Sequence, residues 1–223
     1  LLIVQPATQQ TETKKLILNY IKSEILEKIS GNITTTSIKV NFPQIPQPPE
    51  GEPSYNCIEI NNIVQNPENA IVKDENNNIM GSQSSTTALK IDGFLSTPKF
   101  YKIFYSNSIT NTKLLQGNNC ALLLVNSNYE VGLTKINNEI FEEKINELID
   151  DYNADYELMK NNFGFSPAMN FWLGFKDGNG TIIKNADEKN KPSNLEVYSE
   201  DVKIQFLNSE ANINSGIISI IVW

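Results

Sequence analysis

The chain has 223 residues, a net charge of −8 and 39% hydrophobic residues. All 18 basic residues are lysine, and there is no arginine or histidine. This excludes histidine-based acid–base and nucleophile chemistry, histidine metal ligands and arginine forks, and the acidic balance does not read as that of a nucleic-acid binder, which needs a basic face. No run of about 18 apolar residues occurs, so no stretch of this sequence reads as a bilayer-spanning helix.

In chain order, residues 1–4 are apolar and not preceded by methionine. They read as the tail of a hydrophobic segment ahead of Leu1 or as a processed terminus. Residues 8–30 have a helical period: Ile17, Ile21, Ile25 and Ile29 recur every fourth position as a packing face, and Gly31 is placed to stop the helix. The β-branched run 34–40 predicts a strand. Five prolines between 43 and 53 predict an extended connector. Residues 55–134 read as a β-rich block with strands at 57–60, 70–73, 79–81, 88–91, 101–105, 120–125 and 129–133. Polar turns at 74–78 and 126–128 separate them.

The helical period returns over 136–160, from Ile136 to Met159, with a kink or break near Asp150, Asp151 and Asn153. Residues 171–184 predict a hairpin turning at Asp177-Gly178-Asn179-Gly180. Val202, Ile204 and Phe206 alternate as in a half-buried strand. The ending IISIIVW is apolar on both faces, as in a strand covered on both sides. The expected fold class is α+β: a long N-terminal amphipathic helix, a central antiparallel β-rich block, then a second helix followed by a four-stranded antiparallel meander. The expected segments are 1–42, a linker at 43–54, 55–134 and 135–223.

Few residues suggest chemistry. Cys57 and Cys120 each open a predicted strand. They read as a disulfide tying two strands in an oxidising, extracellular setting, or as two buried thiols in a reducing one. Residues 176–180 have a faint likeness to a calcium loop but lack its later acidic ligands, and a tight hairpin turn accounts for them. Glu139, Glu142, Glu143, Glu147 and Asp151 lie opposite the apolar stripe of the second helix and read as a solvated face. Asn32 and Asn179 match the N-glycosylation sequon. Trp172 and Trp223 suit a strand core or a sugar-stacking face. No phosphate loop, dinucleotide fingerprint or nucleophile elbow is present, so neither an enzyme, a metal nor a cofactor is expected.

The segment LLIVQPATQQTETKKLILNYIKSEILEKISGN, the stretches CIEI, AIVKDENNNIM and NYEVGL, the run FEEKINELIDDY with FGFSPAMNFWLGFKDGNGT, and the ending INSGIISIIVW together resemble the archaeal type IV pilin-like surface proteins. The resemblance covers nearly the full chain through strand and turn patterns. It implies a pilin-like fold and an exported, non-enzymatic surface protein: a filament subunit or membrane-tethered head anchored through a segment before Leu1, whose partners are copies of itself or other surface proteins. The alternative on the same scaffold is an adhesin or glycan-binding module.

Overall fold

A computed structural model describes residues 7–41, 48–61, 63, 69–85, 87–93, 99–165, 169–187 and 197–223. Residues 1–4, and 43–47 of the proline run, lie outside that set. The described elements are α1 (Ala7–Ile29), β1 (Ser30–Val40), β2 (Cys57–Asn61), β3 (Ala70–Asp74), β4 (Ile79–Met80), β5 (Ser82–Ser84), β6 (Ala88–Asp92), β7 (Lys99–Tyr105), β8 (Cys120–Leu123), β9 (Tyr129–Phe141), α2 (Glu142–Ala154), α3 (Tyr156–Asn162), β10 (Phe171–Asp177), β11 (Ile182–Asn185), β12 (Tyr198–Leu207) and β13 (Ile213–Val222). The chain divides into two compact units. The first is Leu1–Gly31, Ile140–Leu207 and Ile213–Trp223; the second is Asn32–Glu139 with Asn208–Asn212.

The first unit packs three helices on a sheet ordered β11-β10-β13-β12, with the end of β9 beside β12. Ile21, Ile25 and Ile29 of α1 are buried, and Ile17 packs partly against the same core. Ser30 caps the helix by donating from its hydroxyl to the Leu26 carbonyl at 2.6 Å. Gly31 serves close approach rather than a left-handed cap: a Cβ there would lie 2.9 Å from Lys144 Nζ and 3.3 Å from the Phe141 ring. Lys144 Nζ in turn donates to the Ser30 carbonyl.

Below the helices, Tyr152, Tyr156, Phe163 and Phe165 surround the fully buried Phe171, with ring centroids 5.2–5.7 Å from its own. Tyr152 donates to the Phe171 carbonyl at 2.7 Å, so its buried phenol is satisfied. Burial pushes its pKa up. Trp172 is buried and donates from Nε1 to the Ala186 carbonyl, which occupies the indole as a core residue; Trp223 packs partly against the same core.

The second unit is a β-sandwich. One sheet runs β9-β1-β7-β3-β4 and the other β5-β6-β2-β8. Alternate residues of the first sheet, among them Ile38, Val40, Val72, Tyr101 and Ile103, meet Ile58, Ile60, Leu89, Ile91 and Leu123 of the second in a single core. The period-two burial of β1 and β6 is what one buried face demands. Cys57 and Cys120 are direct partners on the parallel pair β2–β8 and are joined by a disulfide.

The expected α+β architecture of a long helix with a small meander is corrected. The protein is mostly β: thirteen strands stand against three helices of 23, 13 and 7 residues among the described residues. Two causes are visible. First, β9 continues for 13 residues to Phe141, through positions expected to open the second helix. Ile136, Asn137 and Asn138 are poor helix formers, and pairing with β1 decides the matter. Ile136 accordingly lies 69% exposed rather than on a helix stripe, and Glu139 is on a strand. Second, the last four strands are not a meander. β13 sits between β10 and β12, with Ile218, Ile220 and Val222 buried and Ile217 and Ile221 half-buried. The helix break falls at Asp155, whose carboxylate caps α3 by accepting from the Leu158 amide at 3.0 Å.

The sandwich core contains an imbalance. The hydroxyls of Tyr101 and Tyr105 are buried without a hydrogen-bond partner among the described residues. Burial raises both phenol pKa values, and nearby Asp74 and Glu75 raise that of Tyr101 further, to about 12. An unmet buried hydroxyl costs about 1–3 kcal/mol, so Tyr101→Phe and Tyr105→Phe should each stabilise the protein by about 1 kcal/mol. Urea midpoints check this; a loss of stability in both would show that the hydroxyls do find partners. The raised values also set a pH dependence. Below the unfolded value near about 10, both states keep the phenol neutral and its contribution is intact. As pH rises through about 12 at Tyr101, the unfolded chain ionises first and that contribution is lost. Spectrophotometric titration of the folded protein should show a late-ionising tyrosine class that unfolding abolishes.

Candidate functional site

Three loops share one construction. In 74–78, 177–181 and 208–212 the first residue, Asp74, Asp177 or Asn208, accepts on Oδ1 from the amides two and four residues on, at 2.8–3.0 Å. Its own amide donates to the carbonyl of the fifth residue. The fourth residue takes a left-handed conformation: Asn77 (φ 66°), Gly180 (φ 86°) and Ala211 (φ 53°). Asn and Gly suit that position, whereas alanine does not. Ala211→Gly should therefore stabilise by about 1 kcal/mol, read as a higher urea midpoint at constant slope. An unchanged or lower midpoint would mean that the loop's other contacts remove the strain.

The strained loop meets a buried lysine. Lys73 of β3 is 2% exposed. Its Nζ donates to Asn212 Oδ1 at 2.6 Å and to the Ala211 carbonyl at 3.2 Å. It lies 5.4 Å from the Phe104 ring centroid. Asn212 Nδ2 donates to Glu210 Oε2 at 3.1 Å. Burial lowers the Lys73 pKa, Lys102 opposite it on β7 adds to the lowering, and Glu210 works against both. A nucleophile, a carboxamide and a carboxylate thus stand in line, and no sequence motif marks them, because their numbers span 73 to 212. The one available signal is a lysine inside an otherwise apolar strand, AIVKD, buried over its first four positions.

An open groove of about 530 Å³ lies on the outer face of the β9-β1-β7 sheet. Phe100 (53% exposed) and Leu133 (66%) give it apolar surface, and Lys102, Lys135, Asn137 and the 74–78 turn give it polar groups. In that turn, burial opposes ionisation of Asp74, but hydrogen bonds from Asn78 and Asn76 outweigh it and hold the carboxyl below its usual range.

The sequence-read residues fall in separate places. Asn32 and Asn179 are exposed, Asn179 at the tip of the β10–β11 turn. The 176–180 run is that same turn, with Asp177 spent on backbone amides. Glu143, Glu147 and Asp151 are exposed on α2 and Glu142 is half-buried. Among the described residues no group of three or more metal-ligating side chains converges, and no helix is long and apolar enough to cross a membrane. No family model, curated protein or solved structure matches the chain.

Proposed function

We propose that this chain is the extracellular part of a non-enzymatic surface protein with a structural or attachment role. The observation that carries this reading is the Cys57–Cys120 disulfide between neighbouring strands of the sandwich, a bond that persists in oxidising compartments. The resemblance of the sequence to archaeal pilin-like proteins favours a filament subunit or tethered head whose partners are copies of itself or other surface proteins. The test is to treat intact source cells with a membrane-impermeant protease and, separately, to alkylate the lysate without reductant. Cleavage on intact cells with both cysteines unreactive is the expected outcome. A protected protein with two alkylated thiols would overturn it.

A second reading, a glycan-binding module, rests on the groove. An exposed aromatic ring beside carboxylate and amide groups offers a sugar both a stacking face and hydroxyl partners. Phe100→Ala would then abolish retention on a glycan array without changing the urea midpoint, and an array that retains nothing removes this reading.

A further inference from the structure

We propose that Lys73 and Asn212 join spontaneously through an intramolecular isopeptide bond, with Glu210 as the proton-transfer group. The geometry is that of aminolysis. Lys73 Nζ already touches the carboxamide of Asn212, at 2.6 Å from Oδ1, the oxygen bonded to the electrophilic Cγ. The leaving nitrogen, Nδ2, points at Glu210 Oε2, 3.1 Å away. The nucleophile is buried against Phe104, away from bulk water. Asn212 is held by the left-handed turn at Ala211 and by the hydrogen bond its backbone N–H donates to Asn208 Oδ1. Attacker, acceptor and acid are therefore pre-positioned rather than brought together by chance.

The step balances without any co-reactant. Lys73 gives up its ammonium proton to solvent, and the neutral amine attacks Cγ, forming the Nζ–Cγ bond. Glu210 takes the proton shed by the attacking nitrogen and passes it to Nδ2. The Cγ–Nδ2 bond breaks, ammonia leaves, and a secondary amide remains. Nothing is oxidised or reduced. Burial lowers the Lys73 pKa, which favours the neutral amine that the attack needs. The product links positions 73 and 212, 139 residues apart in sequence, so it closes a far longer covalent loop than the disulfide, which spans 63. The inference does not rest on the proposed surface location, because the reacting groups all belong to the chain.

Intact-mass spectrometry of the folded, full-length chain tests it. The wild-type protein should weigh about 17 Da less than its sequence, one ammonia, beyond the two hydrogens lost to the disulfide. Digestion after reduction should yield one branched peptide containing both Lys73 and Asn212. Glu210→Gln leaves the fold intact, because the residue is exposed, and should keep the full sequence mass over the time in which the wild type converts. Lys73→Met should keep it too. Circular dichroism confirms that each variant is folded, and the wild-type mass decides the matter if Lys73→Met does not fold. A wild type that stays at full mass, with Lys73 and Asn212 in separate peptides, overturns the bond. An E210Q protein that loses ammonia as fast as wild type overturns the role of Glu210.

Discussion

Phe171→Ala is expected to be the most damaging single substitution in the helical unit, costing about 3–5 kcal/mol. The side chain is fully buried, and its ring is contacted edge-on or tilted by Tyr152, Tyr156, Phe163 and Phe165. Truncation removes the apolar burial and also one member of every pair, in a cavity that four rigid rings cannot collapse to fill. The backbone of Phe171 adds to this. Its carbonyl accepts from the buried Tyr152 hydroxyl and its amide donates to the half-buried Tyr156 hydroxyl, so a shift of β10 leaves the Tyr152 phenol without its partner. Phe171→Leu keeps most of the volume and should cost clearly less. Urea denaturation followed by tyrosine fluorescence measures both. A Phe171→Ala loss below about 1 kcal/mol would mean that the ring cluster is loosely packed.

The second large effect is removal of the disulfide. In the chain-entropy account, a bridge between residues 63 apart restricts the unfolded state by about 4 kcal/mol. The paired strands already bring Cys57 and Cys120 together as register partners, so the folded state needs no rearrangement to accept the bond. The double variant Cys57→Ala, Cys120→Ala should therefore keep the β-sheet circular-dichroism signal while its urea midpoint falls strongly. Wild-type protein unfolded with reductant should show a similar drop. Equal midpoints with and without reductant would place the stability of the sandwich elsewhere.

Much of the local structure was legible in the residues. The every-fourth isoleucines of α1, the alternation in β12 and the polar turns at 74–78 and 177–180 each satisfy a short-range rule, and the structure places them accordingly; β13 forms as a strand, with Ile217 and Ile221 only half-buried. The third turn of the same type, 208–212, was not legible as a turn of that class, because alanine occupies its left-handed position. At the end of β9, Ile136 and Ile140 fit a helical stripe as well as a strand, and period alone cannot arbitrate between them. The short strand β5, with its sequence SQS, carries no apolar signal; it is a strand because it pairs with β6.

The candidate chemistry divides along the same line. Composition alone removed histidine and arginine mechanisms, and the two cysteines announced a possible bridge. That they are neighbours on parallel strands was decided by the order in which β2 and β8 assemble. Lys73, Asn212 and Glu210 are ordinary residues in sequence; the sheet buries the lysine and a strained turn delivers the carboxamide to it. The sequence by itself determined the type of most elements and which of their faces are apolar, because those depend on neighbours three or four positions away. Strand order, the extent of β9 and the meeting of residues 73 and 212 depend on contacts far apart in the chain. Only the tertiary structure decides those, because their pairing energy outweighs local preference.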